Sequence, residues 1–232
     1  MPKAIKRRIA KRTDTPEEEV QEKLSTLRDT LQQRQSFVLK IGIGIIVIVA
    51  AVIIFLAYSY NAGTKAKKIE YEAYNMFYSR EPQQTANREE HYRKALGSFQ
   101  KAYDTKQSPF SLYYIAACYY ELGQYDESLK TLKDFSRKYS HEEKFLPLAY
   151  RKMAAIYMRK GDAAETRKTL DALYSLKTDI YKDFALMEYG RLLEKEGKPA
   201  EARKKYEELV TRFPASLYKD EAQLKLSGRK EG

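Results

Sequence analysis

The sequence predicts an all-α protein: one N-terminal transmembrane helix followed by an α-solenoid of helical hairpins. Three observations predict it. Residues 41–60 contain no charged side chain. Beyond residue 63 the apolar residues recur at steps of three and four, with no convincing period-two stretch. Glycines at 123, 161 and 197 then mark a hairpin-sized repeat.

The apolar run comes first in the argument. A helix of about twenty residues rises about 30 Å, the thickness of bilayer hydrocarbon. The run is rich in Ile and Val and closes with Tyr58 and Tyr60, rings suited to the lipid–water boundary. Lys40 precedes it and Lys65 follows, so both ends carry cations whose stems can reach along lipid to the headgroups. A signal peptide would also be apolar, and Ala57-Tyr58-Ser59 loosely matches a cleavage site. The forty polar residues ahead of the run and its length argue instead for an uncleaved anchor.

Residues 1–40 form a basic tail with ten basic and six acidic residues. Lys3, Lys6, Arg7, Arg8, Lys11 and Arg12 are its dense cluster, suited to keeping the tail on the cytoplasmic side. Contact with anionic lipid or RNA would use the same charges. A short amphipathic helix should follow, with Thr15 as cap, Pro16 in the first turn and Glu17, Glu18 and Glu19 at the positive end of its dipole. Val20, Leu24, Leu27 and Leu31 give it an apolar seam for a partner helix or the membrane surface.

Residues 61–232 are long enough for one domain. Their basic surplus is scattered among many acids, which describes a mixed-charge surface and no specific nucleic-acid stripe. Align the three glycines and the neighbours fall into register. Eight before stand Ile115, Met153 and Tyr189; seven before, Ala116, Ala154 and Gly190; four before, Tyr119, Tyr157 and Leu193. Five after stand Ser128, Thr166 and Ala202; nine after, Leu132, Leu170 and Tyr206. Small residues let two helices approach, large ones fill the groove, and the glycine ends the first helix at positive φ. The expected pairs are 65–80 with 88–106, 109–122 with 125–139, 146–160 with 163–176 and 181–196 with 199–212. A lone helix over 216–227 closes the stack.

No catalytic constellation is present, and an enzyme is not expected. His91 and His141 are the only histidines and fall on or beside polar helical stretches. Gly42 and Gly44 lack the Gly-Lys-Ser/Thr of a phosphate loop. Cys118, the only cysteine, sits beside Ala117 as a small packed hydrophobe, so neither a disulfide nor a thiolate metal site is possible within the chain. No metal or cofactor is expected.

The stretch Tyr119-Tyr120-Glu121-Leu122-Gly123-Gln124-Tyr125-Asp126-Glu127-Ser128 resembles the tetratricopeptide repeat, a helix–turn–helix unit. That resemblance implies protein or peptide partners held in a concave groove lined by the first helix of each unit. Carried onto this chain, the lining places are Phe110, Tyr113, Ala117, Tyr120 and Glu121; Leu148, Arg151, Ala155, Met158 and Arg159; and Phe184, Met187, Arg191, Glu194 and Lys195. Such a groove suits a segment with some apolar and acidic character. Ala117 and Ala155 stand where a carboxylate clamp would want Asn, which argues against that clamp.

The order of basic tail, single anchor and compact repeats resembles the bacterial inner-membrane family of ancillary SecYEG translocon subunits (YfgM-like). Ala202 to Leu209, then Arg212-Phe213-Pro214 and Tyr218 to Ala222, also look like repeats of outer-membrane assembly lipoproteins and Tol–Pal coordinators, but there is no lipobox cysteine. The translocon likeness implies a cytoplasmic N-terminus and a periplasmic repeat domain. Its partners would be translocating polypeptides, a translocon, periplasmic chaperones or envelope assembly machinery. A structural subunit working through its anchor and juxtamembrane helix, or a cytosol-facing organelle import receptor, would share the same architecture.

Overall fold

The computed structural model describes residues 16–78 and 85–228. The basic cluster, Thr15, Arg80 and Pro82 lie outside the described residues, as do the side chains of Glu17, Glu18, Glu19 and Leu31. Among the described residues the regular structure is entirely helical. The chain forms two compact units, Met1–Tyr60 and Asn61–Gly232.

Helix α1, Pro16–Tyr78, is a single helix of 63 residues. The sequence suggests a separate short helix ahead of the apolar run, and a helix from 65 that runs on from the anchor. The second holds, but no break sets off the first: Gly42 and Gly44 are accommodated in helical backbone and no proline interrupts the span. The apolar stretch qualifies by length and composition as a candidate membrane span, and none of its most apolar window is buried. Ile46, Ile54 and Phe55 are each more than 65% exposed.

The second unit is a stack of hairpins: α2 Thr85–Thr105, α3 Pro109–Glu121, α4 Tyr125–Lys138, α5 Leu146–Lys160, α6 Ala163–Tyr174, α7 Lys182–Lys195, α8 Pro199–Arg212 and α9 Lys219–Ser227. Pro109, Pro147 and Pro199 occupy first turns, where a missing N–H costs nothing. Gly123, Gly161 and Gly197 all adopt φ +72°, the left-handed conformation that ends α3, α5 and α7. Asp162 caps α6 by accepting from the Glu165 N–H at 3.0 Å. The closing helix begins at Lys219, three residues later than its sequence pattern suggests. Ser216 is held in the preceding turn, where its Oγ donates to Asp183 at 2.7 Å and accepts from the Tyr218 N–H at 3.1 Å.

Within each hairpin α3 packs on α4, α5 on α6 and α7 on α8; each second helix also packs on the next first helix. The part of α1 after residue 61 completes the first hairpin: Ala73 is buried with Ala95 and Phe99, and the Phe77 ring lies 5.3 Å from that of Tyr92. Three core clusters run along the stack. In the second hairpin the buried Ser128 Oγ donates to the Ala116 carbonyl at 2.8 Å, tying the two helices together.

Candidate peptide-binding groove

The first helices α3, α5 and α7 carry the residues expected to line a groove, and the structure gathers them into three places. The first is a pocket of about 280 Å³ lined by Phe77, Tyr78, Tyr92, Tyr113, Tyr114, Ala117, Glu121 and Lys152. Phe77 meets Tyr114 edge-on at 5.5 Å, and the Tyr78 and Tyr114 hydroxyls lie 3.4 Å apart. Burial pushes the Tyr113 and Tyr114 phenols well above their ordinary range. Tyr113 is only 8% exposed and so forms floor more than rim.

Lys152 is the residue that position counting along the repeat misses here. Its ammonium lies 4.0 Å from the Tyr120 ring centroid and 3.8 Å from a Glu121 carboxylate oxygen. Burial pulls its pKa down, and Glu121 opposes that shift. The one local sign in the sequence is that Ala149 and Ile156, three before and four after, put Lys152 on an apolar helical face; its partners on the preceding hairpin had no such sign.

The second place joins α5 to the start of α7. The Arg151 guanidinium lies 4.7 Å above the Tyr181 ring and 5.4 Å from that of Phe184. Stacking of this kind leaves the guanidinium N–H edge facing outward. Tyr181 holds a left-handed backbone at φ 63°, which sets the entry of α7 and presents its ring to Arg151. Leu148 is half-buried, and Phe110 packs inward, 4.7 Å from Tyr114 and 5.8 Å from Phe145.

The third place is a cleft of about 740 Å³ between α5, α6 and α7, lined by Met158, Arg159, Gly161, Ala163, Thr166, Glu188, Arg191, Leu192, Lys195 and Glu196. Arg159 lies 5.2 Å from the Tyr125 ring centroid. Arg191 is committed elsewhere: its Nη2 donates to both Glu221 oxygens at 2.5 and 2.6 Å, and Nη1 donates to Glu188 at 2.6 Å. Its charge is therefore balanced within the fold. Glu194 is likewise paired with Lys225 at 3.1 Å.

Accessibility divides the sequence-derived set. Tyr120, Leu148, Met158, Arg151 and Arg159 have surface to offer. Phe184 is 7% exposed and Met187 has no exposed surface at all. Met187 is thus a core residue of the α7–α8 hairpin, because the α7 face that bears it is covered in the stack. The expected anchor flanks Lys40, Tyr58, Tyr60 and Lys65 are all exposed on α1. Among the described residues no group of three or more His, Cys, Asp or Glu is placed to hold a metal.

The tetratricopeptide repeat-like domain family matches residues 36–228. No curated protein matches the chain. Among solved structures it is similar to the TPR2AB-domain:pHSP90-complex of yeast Sti1, at 19% identity and a TM-score of 0.42, covering 72% of each chain.

Proposed function

We propose that this chain, which belongs to the tetratricopeptide repeat-like domain family, is a membrane-anchored protein–protein interaction adaptor. Its repeats hold protein segments along the first helices. The carrying observation is the set of cations laid on aromatic rings there: Lys152 on Tyr120, Arg151 on Tyr181, and Arg159 by Tyr125. A guanidinium resting on a ring has its direction set before a ligand arrives, so less entropy is lost when it meets a carboxylate. Met158 and Leu148 add adaptable apolar surface nearby. Segments mixing apolar and acidic residues suit this surface.

The exposed apolar stretch of α1 supports the anchor, and the ten cations of residues 1–40 favour retention of that tail in the cytoplasm. The repeats then face the periplasm from the bacterial inner membrane. In keeping with the likeness to ancillary translocon subunits, the partners are translocating polypeptides, the translocon, periplasmic chaperones or envelope assembly proteins.

Two measurements test this. Arg151→Glu with Arg159→Glu should cut co-purification of periplasmic clients by about tenfold or more, while circular dichroism stays unchanged; undiminished recovery removes the groove from the mechanism. Protease added to spheroplasts should digest the repeats and spare the N-terminal tail. Protection of the repeats would reverse the topology.

A further inference from the structure

Residues 20–28 lie on the first unit's helix, and the groove makes no use of them. Val20, Leu24 and Leu27 follow one another at steps of four and three, so they share one face of α1. They are 55%, 59% and 59% exposed. Lys23 stands immediately before Leu24 and Arg28 immediately after Leu27, both exposed. In heptad terms the leucines take the a and d places and the two cations take g and e, one along each edge of the apolar strip. Asp29 falls on the far face.

This charge pattern discriminates between occupants. In a parallel pair of identical helices, a g residue faces the e residue five places later on the other chain, which sets Lys23 against Arg28. In an antiparallel pair g meets g and e meets e, again cation against cation. Both arrangements of a second copy are repulsive. A helix with carboxylates at its own e and g places would satisfy both edges at once. Lipid fits less well. Leu27 lies fourteen residues before the uncharged run begins at 41, about 21 Å along the axis, and α1 has no break that would lay this segment on a membrane surface.

We infer that residues 20–28 form a docking seam for an acidic amphipathic helix of another protein, selective against a second copy of this chain. The helix is already continuous here, so docking bears little of the nucleation cost that makes short isolated helices marginal. The inference is independent of the groove and takes from the proposed function only the anchor, used to argue against lipid.

The test uses the full chain in neutral-lipid nanodiscs and two labelled three-heptad peptides. Both carry Leu at a and d; one carries Glu at e and g, its twin Lys. The Glu peptide should bind in a salt-sensitive way and the Lys twin should not. Leu24→Asp should weaken binding about tenfold or more without loss of helicity. The double variant Lys23→Glu/Arg28→Glu should reverse the preference and bind the Lys twin. Lys23→Glu alone should raise self-association in detergent by sedimentation, because the new carboxylate faces Arg28 of a second copy. Equal binding of the two peptides, or no binding of the Glu peptide, overturns the inference. So does wild-type self-association that Leu24→Asp dissolves. Protection of residues 20–28 from hydrogen exchange only in anionic nanodiscs, with neither peptide bound, would assign the seam to lipid instead.

Discussion

Tyr206 fills the space that a side chain on Gly190 would need: a β-carbon there would lie 2.3 Å from Tyr206 Cε1 and 2.6 Å from Cζ. The two are sixteen residues apart, as are Ala116 and Leu132 in one hairpin and Ala154 and Leu170 in the next. Where two hairpins use alanine against leucine, the third uses glycine against tyrosine. The sum of the two sizes is kept while its division shifts, which a close-packed interface requires.

Gly190→Ala should therefore destabilise the repeats by about 1–3 kcal/mol, because Tyr206 is 1% exposed and its ring has nowhere to retreat. Adding Tyr206→Leu to that variant recreates the pairing of the other hairpins and should recover most of the loss. Urea unfolding of both single variants and the double gives the coupling energy; additive effects would refute the compensation.

The start of α3 depends on a contact with α1. Ser108 Oγ accepts from the Ser111 N–H at 3.0 Å and donates to Glu70; Ser111 Oγ also donates to Glu70, at 2.6 Å. Ser108→Ala should cost about 1 kcal/mol through the lost cap. Glu70→Ala should cost about 1–3 kcal/mol, because it leaves the buried Ser111 hydroxyl without its acceptor. Hydrogen exchange in the first turn of α3 should accelerate in both variants.

Cys118 should resist alkylation in the folded chain. It has no exposed surface, and burial pushes its thiol up to about 12, so the thiolate is scarce near neutrality. Maleimide labelling at pH 8 should be slow without denaturant and rapid in urea; fast stoichiometric labelling of the native protein would contradict this packing.

Alkali should unfold the repeats. Burial holds the Tyr113, Tyr114 and Tyr206 phenols protonated beyond their ordinary value. Above pH of about 10 an unfolded phenol loses its proton while the folded one keeps it. The folded state then binds more protons, so stability falls as pH rises, by about 1.4 kcal/mol per pH unit for each such phenol. Lys152 acts in the opposite sense at lower pH. Its pKa is lowered by burial, so between that value and the ordinary lysine value the unfolded state binds more protons and stability rises with pH. Melting temperature followed from pH 9 to 11 should drop, and Tyr206→Phe should make the drop shallower.

Helix ends were readable in the chain because proline and glycine act locally. Pro109, Pro147 and Pro199 open helices and Gly123, Gly161 and Gly197 close them through backbone geometry that needs no distant partner. The hairpin register was readable for a related reason, since a repeated spacing of small and large residues states which faces meet. The join between the N-terminal helix and the apolar run was less clear, because no residue there forbids or compels a break.

Positions along the first helices could be numbered from the repeat, yet their roles could not. Met187 occupies a lining place and is fully buried, while its neighbour in kind, Met158, borders an open cleft. Arg191 is balanced by Glu221, thirty residues away on the closing helix. Lys152 lies against Tyr120 of the preceding hairpin. Spacing and turn chemistry are properties of neighbours along the backbone, so order, length and pairing of the helices were already written in the chain. Exposure and charge balance depend on side chains brought together from far apart, and these were settled only when the hairpins stacked.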